Sequence, residues 1–477
     1  MGEVTGKVVD FIIRTDYDDL PQGVVQKLKD VLLDSIGCAL GSYVIDKTKI
    51  IVEFIRKMGG NPQATVIGGN YTSVANAAFA NGELINALDM DCIGPVTAHV
   101  IPYAFPPCLA LAEMTHASGK QLLAATAIAA EIGGRVGASV LQHRMLTEEP
   151  PYYKPAPRYG YSTGIFGGVA GACKILQMGA DKVANALGIG GVSTSVGGAA
   201  KWQQISGPSP MVKYSSWAGW ISQLGTTSAL LASQGFTGDA EIFDGDFGFW
   251  QMYGSPFFRK EMILDGLGKV WRALETEFKP YPNCRCNHGA IDGIVRLIKE
   301  NAIQPESITE INVMGDSWLL TPSRSQEIIT GAIDTQFAVK YAFAVAVYYG
   351  GNPGPHWQMP IVYEDPRVIE MMKRVTVAVH PDTDKRILET MKTAKAPVPV
   401  LGKVEIVANS KRYQIDVHEP WGSRENQLSN DEIRRKFRQN ATFSALPVSQ
   451  VEQIVDIVYN LETVGDINKL TTLLRIE

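Results

Sequence analysis

The stretch NALDMDCIGPVTAHVIPYAFPP, Asn86–Pro107, joins two helical patterns across a Gly-Pro break at 94–95. Because glycine and proline interrupt a helix, we expect acidic residues at one helix end and a histidine on or after a loop. These residues are Asp89, Asp91 and His99. Two carboxylates and an imidazole can hold, orient and transfer a proton. The stretch predicts a helical fold with an acid–base site, and helix-end acids with a structural histidine are the alternative.

Outward from this stretch, the chain before residue 279 is rich in Ala, Gly and Leu and shows helical periodicity. Small residues such as Ala170, Gly171 and Ala172 would let helices approach closely. The predicted helices are Gln26–Leu40, Val74–Asp89, Pro106–Ala117, Gly119–Val136, Thr163–Gln177 and Asp181–Gly188.

The pattern changes after residue 280, where apolar and polar residues alternate as in strands. The predicted strands are Ile308–Val313, Arg374–Val379, Lys403–Val407 and Arg412–Val417, with helices at Ala290–Lys299 and Thr335–Tyr349. Residues 430–474 are helical again. The sequence therefore predicts a mainly α fold. A large helical domain, 1–272 and 426–477, would carry an inserted, smaller α+β lid domain, 273–425.

The totals exclude several classes of protein. A chain of 477 residues is longer than one hydrophobic core usually serves, so two domains are expected. The net charge of −5 argues against a nucleic-acid-binding protein, which typically carries a basic surface. No apolar run is long enough to cross a membrane, and the N-terminal segment lacks a signal-peptide pattern, so we expect a cytoplasmic protein. Six scattered cysteines do not form a disulfide framework.

Lys213 and Lys279 each lie next to a segment that contains several Gly or Pro residues. Lys213, in SPMVKYSSWAGW, could hold a carboxylate or act as an acid–base, and a solvated loop lysine is the alternative. In KPYPNCRCNHGAID, two prolines would help to aim Lys279, Arg285 and His288. The planar fork of Arg285 suits a carboxylate. A rigid domain connection is the alternative for this segment.

Cofactor and metal patterns are weak. Cys284, Cys286 and His288 alternate, but their spacing is not a zinc pattern, so we predict no metal. The glycine-rich run from Gly188 does not follow a strand, which argues against NAD binding. Tyr341 lies on an apolar helix, where a core tyrosine is the usual explanation.

Several segments match one known family in order and cover almost the whole chain. They include DVLLDSIGCALGS from Asp30, NGELINALDMD from Asn81, TGIFGGVAGACKIL from Thr163, MVKYSSWAGW from Met211, KPYPNCRCNH from Lys279 and DTQFAVKYA from Asp334. Together they resemble the MmgE/PrpD family, which includes 2-methylcitrate dehydratase and cis-aconitate decarboxylase. The resemblance implies a homodimer, with a site in the cleft between a helical domain and an α+β lid.

The family acts on di- or tricarboxylates by loss of water or carbon dioxide, and in some members by epimerisation, typically without metal or organic cofactor. By resemblance, its site positions fall on Asp89, His99, Lys213, Lys279 and Tyr341, with His288 nearby. Arg285 and Asp91 complete the predicted substrate-binding set.

The chain departs from the family pattern in three places. The family's Asp-Asp-Thr reads Asp91, Cys92 and Ile93 here, Tyr161 replaces a histidine before Thr-Gly-x-x-Gly, and Ser216 replaces the histidine of Lys-x-x-His. Tyr161 thereby becomes a candidate proton donor, together with His99 and Tyr341. The replacements suggest a less polar pocket and a drifted substrate or reaction.

We therefore expect a cofactor-independent lyase, a dehydratase or decarboxylase, acting on a di- or tricarboxylate-like substrate. His99 would transfer the proton, while Lys213 and Lys279 hold carboxylate. One alternative is an isomerase or epimerase, with Tyr161 and His99 on opposite faces of the substrate. The other is a non-catalytic member, which the missing histidines favour.

Overall fold

The computed structural model describes residues 1–94, 99–140, 144–156, 161–194, 197–213, 217–392 and 402–476. Its larger part consists of helices that bury one another's apolar faces. They are Glu3–Arg14, Gln22–Gly41, Asp46–Met58, Val74–Asn86, Ile101–Met114, Gly119–Ser139, Gly164–Ile175, Ala180–Ser193, Ala218–Ser233, Asn430–Ala441 and Val448–Tyr459. Shorter helices are Ala199–Gln203, Phe249–Tyr253, Lys260–Leu264 and Asn468–Thr471. Two short strand pairs join Ala64–Thr65 to Tyr71–Thr72 and Arg144–Leu146 to Tyr153–Pro155.

The smaller part combines one sheet with helices. The strands, in their order across the sheet, are Val375–Val379, Ile308–Gly315, Gly402–Ala408 and Lys411–Val417. The first pair is parallel and the other two pairs are antiparallel. The helices are His288–Glu300, Ala332–Thr335, Val339–Tyr349, Pro360–Tyr363, Pro366–Met372 and Thr383–Lys392. A mainly α fold with a smaller α+β domain is thus confirmed, as are all four predicted strands within two residues.

The two largest hydrophobic clusters among the described residues underlie this division. One contains buried side chains from residues 4–278 together with residues 428–474, and the other contains residues 281–408. The last helices of the chain therefore pack in the same core as the first ones. The domain limits 1–272, 273–425 and 426–477 stay predictions.

Small residues bring helix Gly164–Ile175 close to two neighbouring helices, as the sequence predicts. A side chain at Gly167 would place its Cβ 2.4 Å from the carbonyl oxygen of Ala129, on the neighbouring helix. A Cβ at Gly171 would lie 2.3 Å from the sulfur of Cys108. Larger residues at these positions would force the helices apart.

Two helix limits near the opening stretch differ from the prediction. The first helix ends at Asn86 rather than Asp89, whose φ of 52° is left-handed and ends the helical geometry. The next helix begins at Ile101 and continues through Pro106, where we predicted its start. Pro106 has no N–H for the Pro102 carbonyl, but the Ser222 hydroxyl donates to that oxygen at 2.9 Å. An external donor thus replaces the missing helical bond.

Among the described residues, no helix has both the length and the hydropathy that crossing a membrane requires.

Candidate active site

Residues 86–93, the first part of the predicted acid–base stretch, form a tight turn held against the segment that carries Lys279. The backbone N–H of Asp89 donates to the Asn86 carbonyl at 3.2 Å. The N–H of Ile93 donates to the Glu277 carbonyl at 2.9 Å, and the N–H of Glu277 donates back to Ile93 at 2.8 Å. This short ladder fixes Asp89 and Lys279 relative to each other, although they are 190 positions apart in the sequence.

Asp89 forms ion pairs with two lysines at once. Its Oδ1 lies 3.1 Å from Lys213 Nζ and its Oδ2 lies 2.9 Å from Lys279 Nζ. All three side chains are buried. Burial opposes ionisation of Asp89, but the two ammonium groups and His99 outweigh it and hold the pKa of Asp89 well below its usual range. Burial lowers the pKa of Lys213, an effect that Asp89 partly offsets.

His99 and Asp91 form a second pair beside the first. Nδ1 of His99 lies 2.7 Å from Asp91 Oδ2, so Nδ1 carries the proton that this bond requires. The amide Nδ2 of Asn86 donates to the other oxygen of Asp91 at 3.1 Å. Nε2 of His99 then faces Asp89 Oδ1 at 3.8 Å. The side chain of His99 is 12% exposed while Asp91 is fully buried, so the imidazole is the accessible member of the pair.

The lysines retain hydrogen-bonding capacity within the described structure. An ammonium group has three N–H donors. Lys213 uses two of them, toward the Asn86 carbonyl at 2.9 Å and toward Asp89. Lys279 uses one, toward Asp89. The remaining donors can bind the oxygens of a substrate carboxylate or a developing enolate.

A buried ion pair from the two ends of the chain supports the turn from behind. Lys436 Nζ lies 2.6 Å from Asp34 Oδ1 and donates at 2.8 Å to the carbonyl of Met90, the residue between Asp89 and Asp91. Burial opposes the charge on Lys436, but Asp34 outweighs it and raises the pKa of Lys436. Sequence reasoning missed Asp34, Lys436 and Asn86, because their roles depend on contacts across the fold.

Family models match nearly the whole of this scaffold. The MmgE/PrpD N-terminal domain matches residues 6–271 and the MmgE/PrpD C-terminal domain matches residues 281–463. The chain belongs to the MmgE/PrpD family. The resemblance noted from the sequence is therefore confirmed.

Curated relatives of this MmgE/PrpD protein are similar to it over nearly their full length. A cis-aconitate decarboxylase-like protein of Aspergillus oryzae is 25% identical, over 99% of this chain and 97% of that protein. A cis-aconitate decarboxylase of Aspergillus terreus is 25% identical, covering 99% and 96% of the two chains. The human cis-aconitate decarboxylase is 23% identical, covering 96% and 91%. These relatives support a lyase-type family for the chain.

Arg285 and His288 lie beside the Asp89 cluster, and both form hydrogen bonds to other groups of the protein. Arg285 Nη2 lies 2.8 Å from Glu277 Oε2, and its Nη1 donates to the Trp421 carbonyl at 3.1 Å. Nε2 of His288 bonds to the Asn283 carbonyl at 3.1 Å, and Nδ1 lies 3.3 Å from Arg285. Burial, Arg285 and Lys279 lower the pKa of His288 well below its usual range, so its imidazole is neutral. Their substrate-binding roles stay predictions.

The tyrosines are placed less favourably than the lysines. Tyr341 is buried in the core of the α+β part, and its hydroxyl donates to the Trp357 carbonyl. Burial raises its pKa well above the usual range, so this hydroxyl is committed to a backbone partner. Tyr161 begins a short 3-10 helix, Tyr161–Thr163, but its side chain lies outside the described residues, as does Ser216. Ile93, the third departure from the MmgE/PrpD pattern, is buried.

Metal binding has one geometric candidate. Asp89, Asp91 and His99 offer ligand atoms within 4.8 Å of one another. Lys213 and Lys279 already balance Asp89, and their charges would repel a divalent cation at this point. The fit to a metal is therefore poor. Both nitrogens of His288 have partners, so the weak Cys-Cys-His pattern gains no support either.

Proposed function

We propose that this protein is a lyase for a di- or tricarboxylate-like substrate and that its own side chains perform the chemistry without metal or organic cofactor. The observation that carries the proposal is the position of His99. Its imidazole is oriented by Asp91, is accessible, and lies next to two buried ammonium groups that retain donors. Acid–base catalysis on a carboxylated substrate requires such a combination.

Decarboxylation is the reaction that this arrangement supports best. Loss of carbon dioxide breaks a carbon–carbon bond and leaves the electron pair on the substrate, delocalised into a neighbouring carboxylate. The donors of Lys213 and Lys279 stabilise that negative charge, and protonated His99 delivers a proton from Nε2 to carbon. One positioned proton donor is sufficient, whereas dehydration needs a base and an acid. The chain's similarity to cis-aconitate decarboxylases also favours decarboxylation over dehydration.

The test is a proton NMR time course in deuterated buffer containing EDTA, with cis-aconitate, 2-methylcitrate and citrate as substrates. Decarboxylation yields carbon dioxide and a product in which one new C–D bond replaces the broken carbon–carbon bond. Dehydration yields an alkene with all carboxylates retained, and epimerisation exchanges an α-proton without net elimination.

His99→Gln should lower turnover by about 10²- to 10⁴-fold, because it removes the acid–base group. The matched control is His116→Gln. His116 also pairs with an aspartate, Asp466 at 3.0 Å, but its side chain is 72% exposed on the surface. Turnover should be unchanged in the control. Equal turnover in His99→Gln and wild type would remove His99 from the mechanism.

We also propose that the protein is a cytoplasmic homodimer. Light scattering of the purified protein should give twice the 51.9 kDa mass of one chain.

A further inference from the structure

Arg324 is a buried arginine with little compensation from its surroundings. It is 4% exposed. Its Nη2 donates to the sulfur of Cys284 at 3.3 Å, and among the described residues its Nε and Nη1 have no hydrogen-bond acceptor. No ion pair joins it to a carboxylate in the described part of the chain, although Asp316 acts on it from a longer distance. Arginine cannot lose its charge in a protein, so two donor nitrogens are buried without a partner.

Arg324 borders the candidate active site. Its Cζ lies 6.0 Å from the centroid of the Phe337 ring, and Lys213 Nζ lies 5.9 Å from the same centroid. The two cations are therefore at most about 12 Å apart. Cys284, which touches Arg324, lies within electrostatic range of Asp89 and Lys279. The guanidinium is thus a neighbour of the lysine cluster and no part of its ion pairs.

This upper limit on the separation allows one substrate with two or more carboxylates to reach both cations. Charge-assisted hydrogen bonds place the nitrogen and oxygen about 2.8 Å apart. A carboxylate at each end of a short carbon chain can then span the interval between Lys213 and Arg324. A guanidinium binds both oxygens of one carboxylate through two adjacent nitrogens, either Nε with Nη2 or Nη1 with Nη2. Nη2 of Arg324 has two N–H groups and gives one to Cys284, so the other can pair with the vacant nitrogen beside it.

Cys284 is the competing partner for this charge. The contact with Cys286, at 3.8 Å between sulfurs, and the nearby Arg324 lower the pKa of Cys284 well below its usual range, against the effect of burial. A thiolate there would satisfy Nη2. It would leave Nε and Nη1 unpaired, so the thiolate alone does not account for the geometry.

We infer that Arg324 binds a second carboxylate of the substrate, remote from the carboxylate held by Lys213 and Lys279. The site therefore selects substrates that carry at least two carboxylates. This inference rests on the proposed function for the identity of the ligand, but its binding step does not require turnover.

The experiment measures binding by calorimetry with two unreactive probes, tricarballylate, which has three carboxylates, and butyrate, which has one. Arg324→Gln should weaken tricarballylate binding by about 10- to 100-fold and leave butyrate binding unchanged. Arg324→Lys keeps the charge without the fork and should give an intermediate loss, and it serves if Arg324→Gln fails to fold. Cys284→Ser should retain the wild-type preference, because the guanidinium remains. The exposed Arg296→Gln is the matched surface control.

The outcomes separate this inference from the proposed function. If wild type turns over cis-aconitate and Arg324→Gln retains the full preference for tricarballylate, the second carboxylate site is wrong and the lyase proposal stands. If wild type shows no turnover but prefers tricarballylate through Arg324, the site stands and the reaction is wrong. If tricarballylate binds no more tightly than butyrate in wild type, the second carboxylate site is wrong whatever the turnover. Loss of preference in Cys284→Ser alone would assign the selectivity to the thiolate.

Discussion

Arg135 and Arg324 are both buried arginines, and their surroundings are opposite. Nε of Arg135 pairs with Glu131 at 2.5 Å, and its two other nitrogens donate to the carbonyls of Met262, Ile263, Asp265 and Val270. The second oxygen of Glu131 accepts from the N–H groups of Arg272 and Ala273. The i,i+4 spacing of Glu131 and Arg135 on one helix is typical of a structural pair.

Arg324, by contrast, has one sulfur as its acceptor and two nitrogens without a partner among the described residues. The Asp89 cluster resembles Arg324 in this respect, because Lys213 and Lys279 keep N–H donors. A polar network whose donors all have acceptors stabilises the fold, whereas one with unused donors offers hydrogen bonds that a ligand can accept. The difference lies in satisfaction of hydrogen bonds and not in burial.

The largest effect on stability is expected in the Arg135–Glu131 network, in which each nitrogen of Arg135 has an acceptor. Arg135→Met leaves Glu131 buried without its counter-charge and should lower the free energy of opening by about 3–5 kcal/mol. Native-state hydrogen exchange of the amides in Gly119–Ser139 measures this opening. Arg56, which pairs with Glu53 on the surface, provides the control, and Arg56→Met should change stability by less than about 1 kcal/mol. Equal effects of the two changes would remove the distinction.

Asp89→Asn should lower stability less, by roughly 2 kcal/mol, because the amide keeps its shape and Lys213 can give up its proton more readily. Exchange of the amides in Val74–Asn86 is the measurement. Tricarballylate should stabilise this variant more than it stabilises wild type, since a ligand carboxylate replaces the lost charge. In Arg135→Met the ligand-induced gain should equal that of wild type. A larger gain there would contradict the comparison.

Acid should lower the stability of the Asp89 cluster, whose lysines keep unused N–H donors. His99 holds the pKa of Asp91 below its usual value against the opposing effect of burial. A carboxyl whose folded pKa is depressed stabilises the fold above its unfolded pKa, and that stability is lost as pH falls. Between about pH 5 and pH 3, the urea midpoint of wild type should therefore fall more than that of Asp91→Asn. The exposed Asp246→Asn should follow wild type. Parallel curves for all three proteins would refute this role of Asp91.

The smallest change is expected for Arg324→Met. A buried charge with few partners contributes little net stability, and an apolar side chain of similar length can be neutral or stabilising. The urea midpoint should correspond to a change of less than about 1 kcal/mol, with stabilisation as the favoured sign. A loss comparable to that of Arg135→Met would mean that Arg324 belongs to the structural networks.

Much of the fold was predictable because periodicity is a local property. The strands and the longer helices followed from alternation and from 3.6-residue spacing. The meeting of Asp89 with Lys279 came only from the family resemblance, since the pairing spans 190 positions. The carboxylate that Arg285 binds in the structure is Glu277 of its own chain, which a sequence pattern for carboxylate binding cannot distinguish from a substrate.

Arg324 had no cue in the sequence at all. It is an ordinary loop arginine until Cys284 and Phe337 pack around it. Unpaired donors appear only in three dimensions, because hydrogen-bond satisfaction is a property of all neighbours together. The same reason hid Lys436, whose partner Asp34 is 402 positions away.

The Asp34–Lys436 pair also has a consequence for synthesis of the chain. A ribosome that adds about 5–20 residues per second needs about 20–80 s to advance from the first of these residues to the second. During that interval, helix Gln22–Gly41 exists without the segment that completes its core and braces the turn at Met90. The nascent protein must therefore keep an apolar surface covered, by its own early helices or by a chaperone, until nearly all of it has been made.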